Sequence, residues 1–154
     1  MVSPVKRNAA LQPLSREHHH ALLLCWKIKY GFAKDISAER IKAYADWFYK
    51  NHLAPHFELE ETYIYPILGK ENALIQQALK EHALLCIHFN DTSDPEKSLK
   101  QIQVELEKHI RFEERILFNE IQNAATPTEL DRIEKAHSLE TFVDNLGDKF
   151  WETG

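Results

Sequence analysis

Residues 56–65 read His56-Phe57-Glu58-Leu59-Glu60-Glu61-Thr62-Tyr63-Ile64-Tyr65, and residues 109–118 read His109-Ile110-Arg111-Phe112-Glu113-Glu114-Arg115-Ile116-Leu117-Phe118. The two stretches run in parallel: a histidine, a glutamate four positions on, a second glutamate, then apolar residues. On an α-helix a residue and its i+4 neighbour lie one above the other on one face. Each stretch can therefore bring an imidazole nitrogen and a carboxylate oxygen to one place. Outward from these stretches, apolar residues recur at three- and four-residue steps almost everywhere, and alternating segments are scarce. The chain reads as all-α.

Capping and breaking residues divide it. A first helix is predicted over 14–32, with Gly31 near its stop. Ser37 caps a second, over 37–68, which Gly69 closes. Pro55 lies inside this helix without an N–H for the carbonyl one turn back, so a kink is expected. A third helix covers 71–89, and Asp94-Pro95 opens a fourth that reaches about residue 122. Thr126-Pro127-Thr128-Glu129 is a capping box, which starts a fifth helix. Four long helices with short loops predict a single domain: an up-down-up-down four-helix bundle over about 12–122, with an additional C-terminal helix over about 127–147. Phe142, Val143, Leu146, Phe150 and Trp151 give that last helix apolar surface to bury, along the bundle or in a homo-oligomer.

Composition narrows the function classes. The chain has 154 residues, 44% hydrophobic and 28% charged, with a net charge of −5, which argues against disorder. Four glycines are few for a fold built on tight hairpins. No basic run or nucleic-acid motif occurs, so no nucleic-acid partner is expected. The apolar run 21–26 is too short to span a membrane or serve as an export signal, so no membrane partner is expected either. Cys25 and Cys86 both fall on apolar stripes, so buried, reduced thiols and a cytoplasmic location are expected. The excess is in histidine, nine in all.

Phasing the helices places that excess. Leu11, Leu14, His18, Ala21, Cys25 and Ile28 form the first inward stripe; Ile41, Ala45, Phe48, His52, His56, Glu60 and Tyr63 form the second. The third is Ile75, Ala78, Leu79, His82, Leu85, Cys86 and Phe89, and the fourth Leu99, Ile102, Leu106, His109, Glu113 and Ile116. Every bundle helix thus turns a histidine to the core, and two add a glutamate. An ionised carboxylate buried without a partner is strongly disfavoured, and even a neutral polar group costs roughly 2–7 kcal/mol. A metal pair satisfies such a set, since imidazole suits several transition metals and a carboxylate can bridge two ions. Nine histidines and seventeen glutamates give about one His-x-x-x-Glu by chance, so one match alone means little. Here there are two, and Ser15-Arg16-Glu17-His18 is further paralleled by Leu79-Lys80-Glu81-His82.

The ordered set His, His-x-x-x-Glu, His, His-x-x-x-Glu resembles the hemerythrin-like (HHE cation-binding) domain family over about residues 12–122. The resemblance implies a non-haem di-iron centre bridged by two glutamates and an oxo or hydroxo species. Carried over by position, the ligands are His18, His56, Glu60, His82, His109 and Glu113. It also implies oxygen, or another small diatomic or peroxide, as the ligand of the metal pair. Oxygen carriers of the family have a further histidine one turn from the third-helix ligand, where this chain has Ala78 and Cys86. They also place an aspartate five residues after the fourth-helix histidine, where this chain has Glu113 at i+4 and Glu114 at i+5. A binding or sensing role is therefore expected ahead of reversible carriage.

Several positions stay open at this stage. Among His18, His19 and His20, the stripe with Leu14 and Cys25 selects His18 and leaves the others at the rim. His52 is either a further ligand, a donor to one, or a histidine bonded to a backbone carbonyl. Tyr63 is either such a donor or a packing residue, and His88 and His137 read as surface. Glu61 and Glu114 face outward or bond neighbouring groups. Zinc and manganese accept the same donors as iron. Two other functions compete: a di-iron oxidase or peroxidase of ferritin-like type, for which Glu17-x-x-His20 and Glu134-x-x-His137 are the only candidate motifs, and a metal-free helical interaction module.

Overall fold

The computed structural model describes residues 6–137 and 142–152, and among these every regular element is helical. The first helix, α1, is Gln12–Ala33. The second, α2, is a continuous rod over 38–67. Its α-helical segments Ala38–Phe48 and Ala54–Leu59 each run into a π-helical turn, Tyr49–Leu53 and Glu60–Ile64, before a 3-10 turn at Tyr65–Ile67. Helix α3 is Ala73–Asn90. Helix α4 covers 95–124, with a π-turn at Glu113–Leu117 between Pro95–Phe112 and Phe118–Ala124. Helix α5 is Pro127–Ala136, and a 3-10 turn at Phe150–Glu152 ends the described chain.

The caps are those the sequence calls for. Ser37 accepts from the Arg40 N–H, Asp94 from Lys97, and Thr126 and Glu129 close a reciprocal capping box. Asn72 caps α3 by accepting from the Leu74 N–H. Gly69 closes α2 with φ of 86°, a conformation that favours glycine. Gly31 serves another purpose. It lies inside α1, where a Cβ would meet Ile41 at 2.6 Å, so its lack of a side chain lets α1 and α2 approach. Pro55 sits just after the π-turn Tyr49–Leu53, so the rod absorbs the missing donor by changing its hydrogen-bond register.

The rods α1, α2 and α3 all pack against α4, and α1 also packs against α2. Their apolar faces form two clusters. One holds Cys25, Ile28, Ile41, Phe48, Leu85, Leu99 and Leu106. The other holds Leu11, Leu14, Ile64, Tyr65, Ile75, Ala78, Leu117 and Phe118. Each of the four rods passes from one cluster to the other, and the polar candidates sit at the crossing.

Three expectations are corrected here. Helix α5 stops at Ala136, and residues 142–149 carry no helix; 138–141 lie outside the described residues. In 142–149 the side chains bond the backbone locally, Asn145 N–H to Asp144 and Gly147 N–H to Asn145, which competes with helix formation. Of its apolar residues, Phe150 is fully buried while Val143 and Leu146 are exposed. Cys25 is buried as expected but Cys86 is exposed, and both are free thiols. Tyr63 and Ile116 are exposed, and the inward places fall instead to Ile64, Tyr65, Leu117 and Phe118. The cause is the two π-turns that begin at Glu60 and Glu113, whose wider i→i+5 spacing delays the inward face by one residue. Among the described residues no helix is long and apolar enough to cross a membrane.

Candidate metal centre

His18 comes from α1, His56 and Glu60 from α2, His82 from α3, and His109 and Glu113 from α4. All six are at most 4% exposed, and Glu60 and Glu113 are fully buried. Their donor atoms form two groups, each with all its atoms within 4.8 Å of one another. One is His18, His56, Glu60 and Glu113; the other is Glu60, His82, His109 and Glu113. Both glutamates belong to both groups.

The contacts show how the groups share them. Nε2 of His56 and Nε2 of His82 each lie 3.3 Å from Glu60 Oε1. Nε2 of His18 lies 3.3 Å, and Nε2 of His109 2.9 Å, from Glu113 Oε1. These are close approaches without hydrogen-bond alignment for every atom. Both carboxylate oxygens of Glu60, Oε1 of Glu113 and Nε2 of His109 have no hydrogen-bond partner among the described residues. Four orphaned polar atoms at one buried place are uncommon, because each costs about 1–3 kcal/mol. Oxygen and nitrogen donors gathered at one buried place suit a cation.

Each imidazole is fixed from behind. Nδ1 of His18 meets Glu114 at 3.2 Å, His56 meets Glu17 at 3.0 Å, His82 meets Glu61 at 2.9 Å and His109 meets Glu81 at 2.7 Å. An ionised carboxylate only accepts, so Nδ1 carries the donated proton and Nε2 is turned to the centre. Every one of these glutamates is the chain neighbour of a different inner residue. Glu17 precedes His18, Glu81 precedes His82, Glu61 follows Glu60 and Glu114 follows Glu113. Consecutive residues on a helix face about 100° apart, so each Glu-His or Glu-Glu pair offers one group inward and one sideways to the next rod. Such carboxylate–histidine pairs orient and strengthen metal-binding imidazoles.

The electrostatics of the centre favour positive charge. Burial, together with the charge of Glu113, pushes Glu60 up to about 8. Burial would raise Glu113 too, but the charge and hydrogen bonds of His109 and His18 hold it well below the usual carboxylate range. Burial would lower His109, yet Glu113 and Glu81 reverse this and push it up to about 10. His18 and His82 are likewise raised by their carboxylates against the effect of burial. The carboxylates attract positive charge, and protons can supply it as a metal would.

Apart from His18, the positions left open by the sequence fall outside both donor groups, and His137 departs from its expected surface role. His19 is exposed, while His20 stacks on Phe142 at 4.0 Å. His52 lies against Trp47, Phe48 and Phe142 and takes no part in either donor group. His137 is not a free surface residue, since its Nε2 lies 3.0 Å from Glu17, the partner of His56. The ferritin-like motifs do not assemble: Glu17 serves His56 and His137, and Glu134 is exposed. Sequence reasoning missed the roles of Glu17 and Glu81, although the Glu-His repeat was the available signal. It also missed Tyr65, whose Oη lies 3.0 Å from His82 Nε2 and 2.9 Å from Glu113.

The surroundings of the two groups differ. A cavity of about 830 Å3 reaches His18 and His56, lined also by Glu17, His20, His52 and Phe142. On the other side Phe57 stacks on His82 at 3.8 Å. Comparison with known proteins adds no relative: no family model, curated protein or solved structure matches this chain.

Proposed function

We propose that this chain is a hemerythrin-like, non-haem di-iron protein that binds or senses oxygen, peroxide or a related small molecule. The observation that carries the reading is the pair of donor groups sharing Glu60 and Glu113, with the orphaned atoms at their centre. On this reading Glu60 and Glu113, which belong to both donor groups, would help to hold both ions, with His18 and His56 completing one position and His82 and His109 the other. Bound there, an iron pair supplies a redox-active Lewis acid. The protein's own groups hold the imidazoles in one tautomer through Glu17, Glu61, Glu81 and Glu114, and Phe57 and Phe118 shield His82 and His18 from bulk water. Six donors shared by two ions leave coordination positions for a small ligand, and the cavity at His18 and His56 gives it a route.

The same reading takes the rods as an up-down-up-down bundle, which the alternating passage between the two apolar clusters supports. Cytoplasmic residence goes with it, since free thiols persist in a reducing compartment. Iron is preferred on the ordered pattern of six ligands; zinc and manganese accept the same donors. A second reading, an oxidase or peroxidase with an organic substrate, is favoured by the cavity, whose volume is in the range of small-molecule sites rather than of a diatomic. A metal-free module leaves both oxygens of Glu60 and Oε1 of Glu113 buried without hydrogen-bond partners and is the weakest.

The test is elemental analysis of protein expressed with iron. The expected result is close to two iron atoms per chain, with oxo-to-iron absorption in the near ultraviolet. Absence of any stoichiometric transition metal overturns the reading. Mixing the reduced protein with oxygen and then removing it separates binding, which reverses, from turnover with peroxide consumption.

A further inference from the structure

Tyr65 lies among the candidate ligands, and nothing in the pattern of six accounts for it. It is 2% exposed, and its Oη approaches two ligand atoms of the same group, His82 Nε2 at 3.0 Å and Glu113 Oε2 at 2.9 Å. A phenol has one proton. Donated to Glu113, it leaves Oη facing the ring nitrogen of His82, whose own Nδ1 is committed to Glu61. Two candidate ligand atoms, from α3 and α4, thus lie within hydrogen-bond distance of an Oη carried by the 3-10 turn at the end of α2.

The equivalent place in the other half holds Phe118, nine residues after His109 as Tyr65 is nine after His56. Phe118 stacks on His18 at 5.2 Å and offers no donor atom. The pseudo-repeat that makes the two donor groups alike is broken at this inward residue.

We infer that Tyr65 Oη is a seventh ligand, specific to the metal position formed by His82, His109, Glu60 and Glu113, so that the two positions of the pair are chemically unequal. The inference rests on the di-metal reading above. On binding, the phenol proton leaves to solvent and the ion takes its place on Oη. Hard phenolate oxygen favours a trivalent or otherwise oxygen-seeking ion at this position. The position on the cavity side, flanked by Phe118, keeps more of its coordination for an incoming small molecule. Chemistry and ligand entry then fall on one side, and Tyr65 anchors the other.

The experiment is optical and resonance Raman spectroscopy of the iron-loaded, oxidised full-length protein and of Y65F, each with its iron content measured. The expected result is a visible phenolate-to-iron charge-transfer band with tyrosinate vibrations, lost in Y65F while two irons per chain remain. Protein grown with ring-deuterated tyrosine should shift those vibrations, which tests the point even if Y65F folds poorly. Two irons per chain with no tyrosinate signal overturns the inference alone. So does a Y65F protein whose spectrum is unchanged and whose iron affinity merely falls by about 10–100-fold, the effect of losing an outer hydrogen bond. No iron in the unsubstituted protein overturns the di-metal reading, and this inference with it.

Discussion

The His18–His56 half and the His82–His109 half of the centre are near copies that face different surroundings. Their imidazole pairs stand at almost the same separation, with ring centroids 4.9 and 4.8 Å apart. Each imidazole has its carboxylate, and each half has the same two shared glutamates. Yet one half opens on a cavity lined by histidines and Phe142, while the other is closed by Phe57 and Tyr65. The lesson is that a repeat can determine what is held, while the departures from the repeat determine from which side it is reached.

The largest effect should come from removing what the halves share. Glu60→Ala deletes a donor from both groups at once, as does Glu113→Ala. Each variant should lose both metal ions. Glu60→Ala removes a carboxylate that burial disfavours and should leave the apo-fold intact, whereas Glu113→Ala leaves His109 and Tyr65 without their acceptor and should destabilise it. Metal content by elemental analysis, with circular dichroism of the metal-free variant, checks this. Retention of two ions in both variants would break the claim that these carboxylates unite the halves.

A smaller and one-sided effect is expected from the outer carboxylates. Glu17→Gln weakens the orientation of His56, and Glu81→Gln that of His109. Each should lower metal affinity by about 10–100-fold at one of two positions, leaving the other near its original value. Competition titrations with a chelator should then show two resolved steps. Glu17 also holds His137, so E17Q alone should free the end of α5 and raise its proteolytic sensitivity. Equal behaviour of the two variants would show that the halves are not mechanically distinct.

Much of this centre is legible in the sequence because it depends on i+4 geometry within single helices. His56 with Glu60 and His109 with Glu113 need only the helical repeat, and the caps at Ser37, Asp94 and Thr126 mark where each helix starts. What escapes depends on contact between helices or on departures from the α repeat. Glu17 and Glu81 point sideways, so their roles appear only when the neighbouring rod is in place. Tyr65 and Phe118 replace Tyr63 and Ile116 on the inward face because a π-turn follows each glutamate, and hydrophobic periodicity assumes there is none. The segment after Ala136 escapes for a third reason. Its aromatic residues resemble a helical stripe, but Asp144 is drawn to Lys27 and Tyr44 across the fold.

That last contact gives the smallest predicted effect, and it bears on the open half alone, because the segment it ties down carries Phe142 to the cavity. Lys27 is 7% exposed, with Nζ 2.8 Å from Asp144 and 3.7 Å from the centre of the Trp151 ring. Asp144→Asn leaves a buried cation without its anion and should cost about 1–3 kcal/mol in denaturant melts. Burial would raise the Asp144 carboxyl, but hydrogen bonds from Lys27 and Tyr44 and the charge of Lys27 hold it below its ordinary value of 3.8. A depressed folded-state value stabilises above the unfolded one and ceases to do so as pH falls through it. The stability difference between the original protein and D144N should therefore be constant above about pH 5 and shrink as pH drops below 3.8. A difference that instead grows in acid would detach Asp144 from Lys27, and with it the tether that distinguishes the open half.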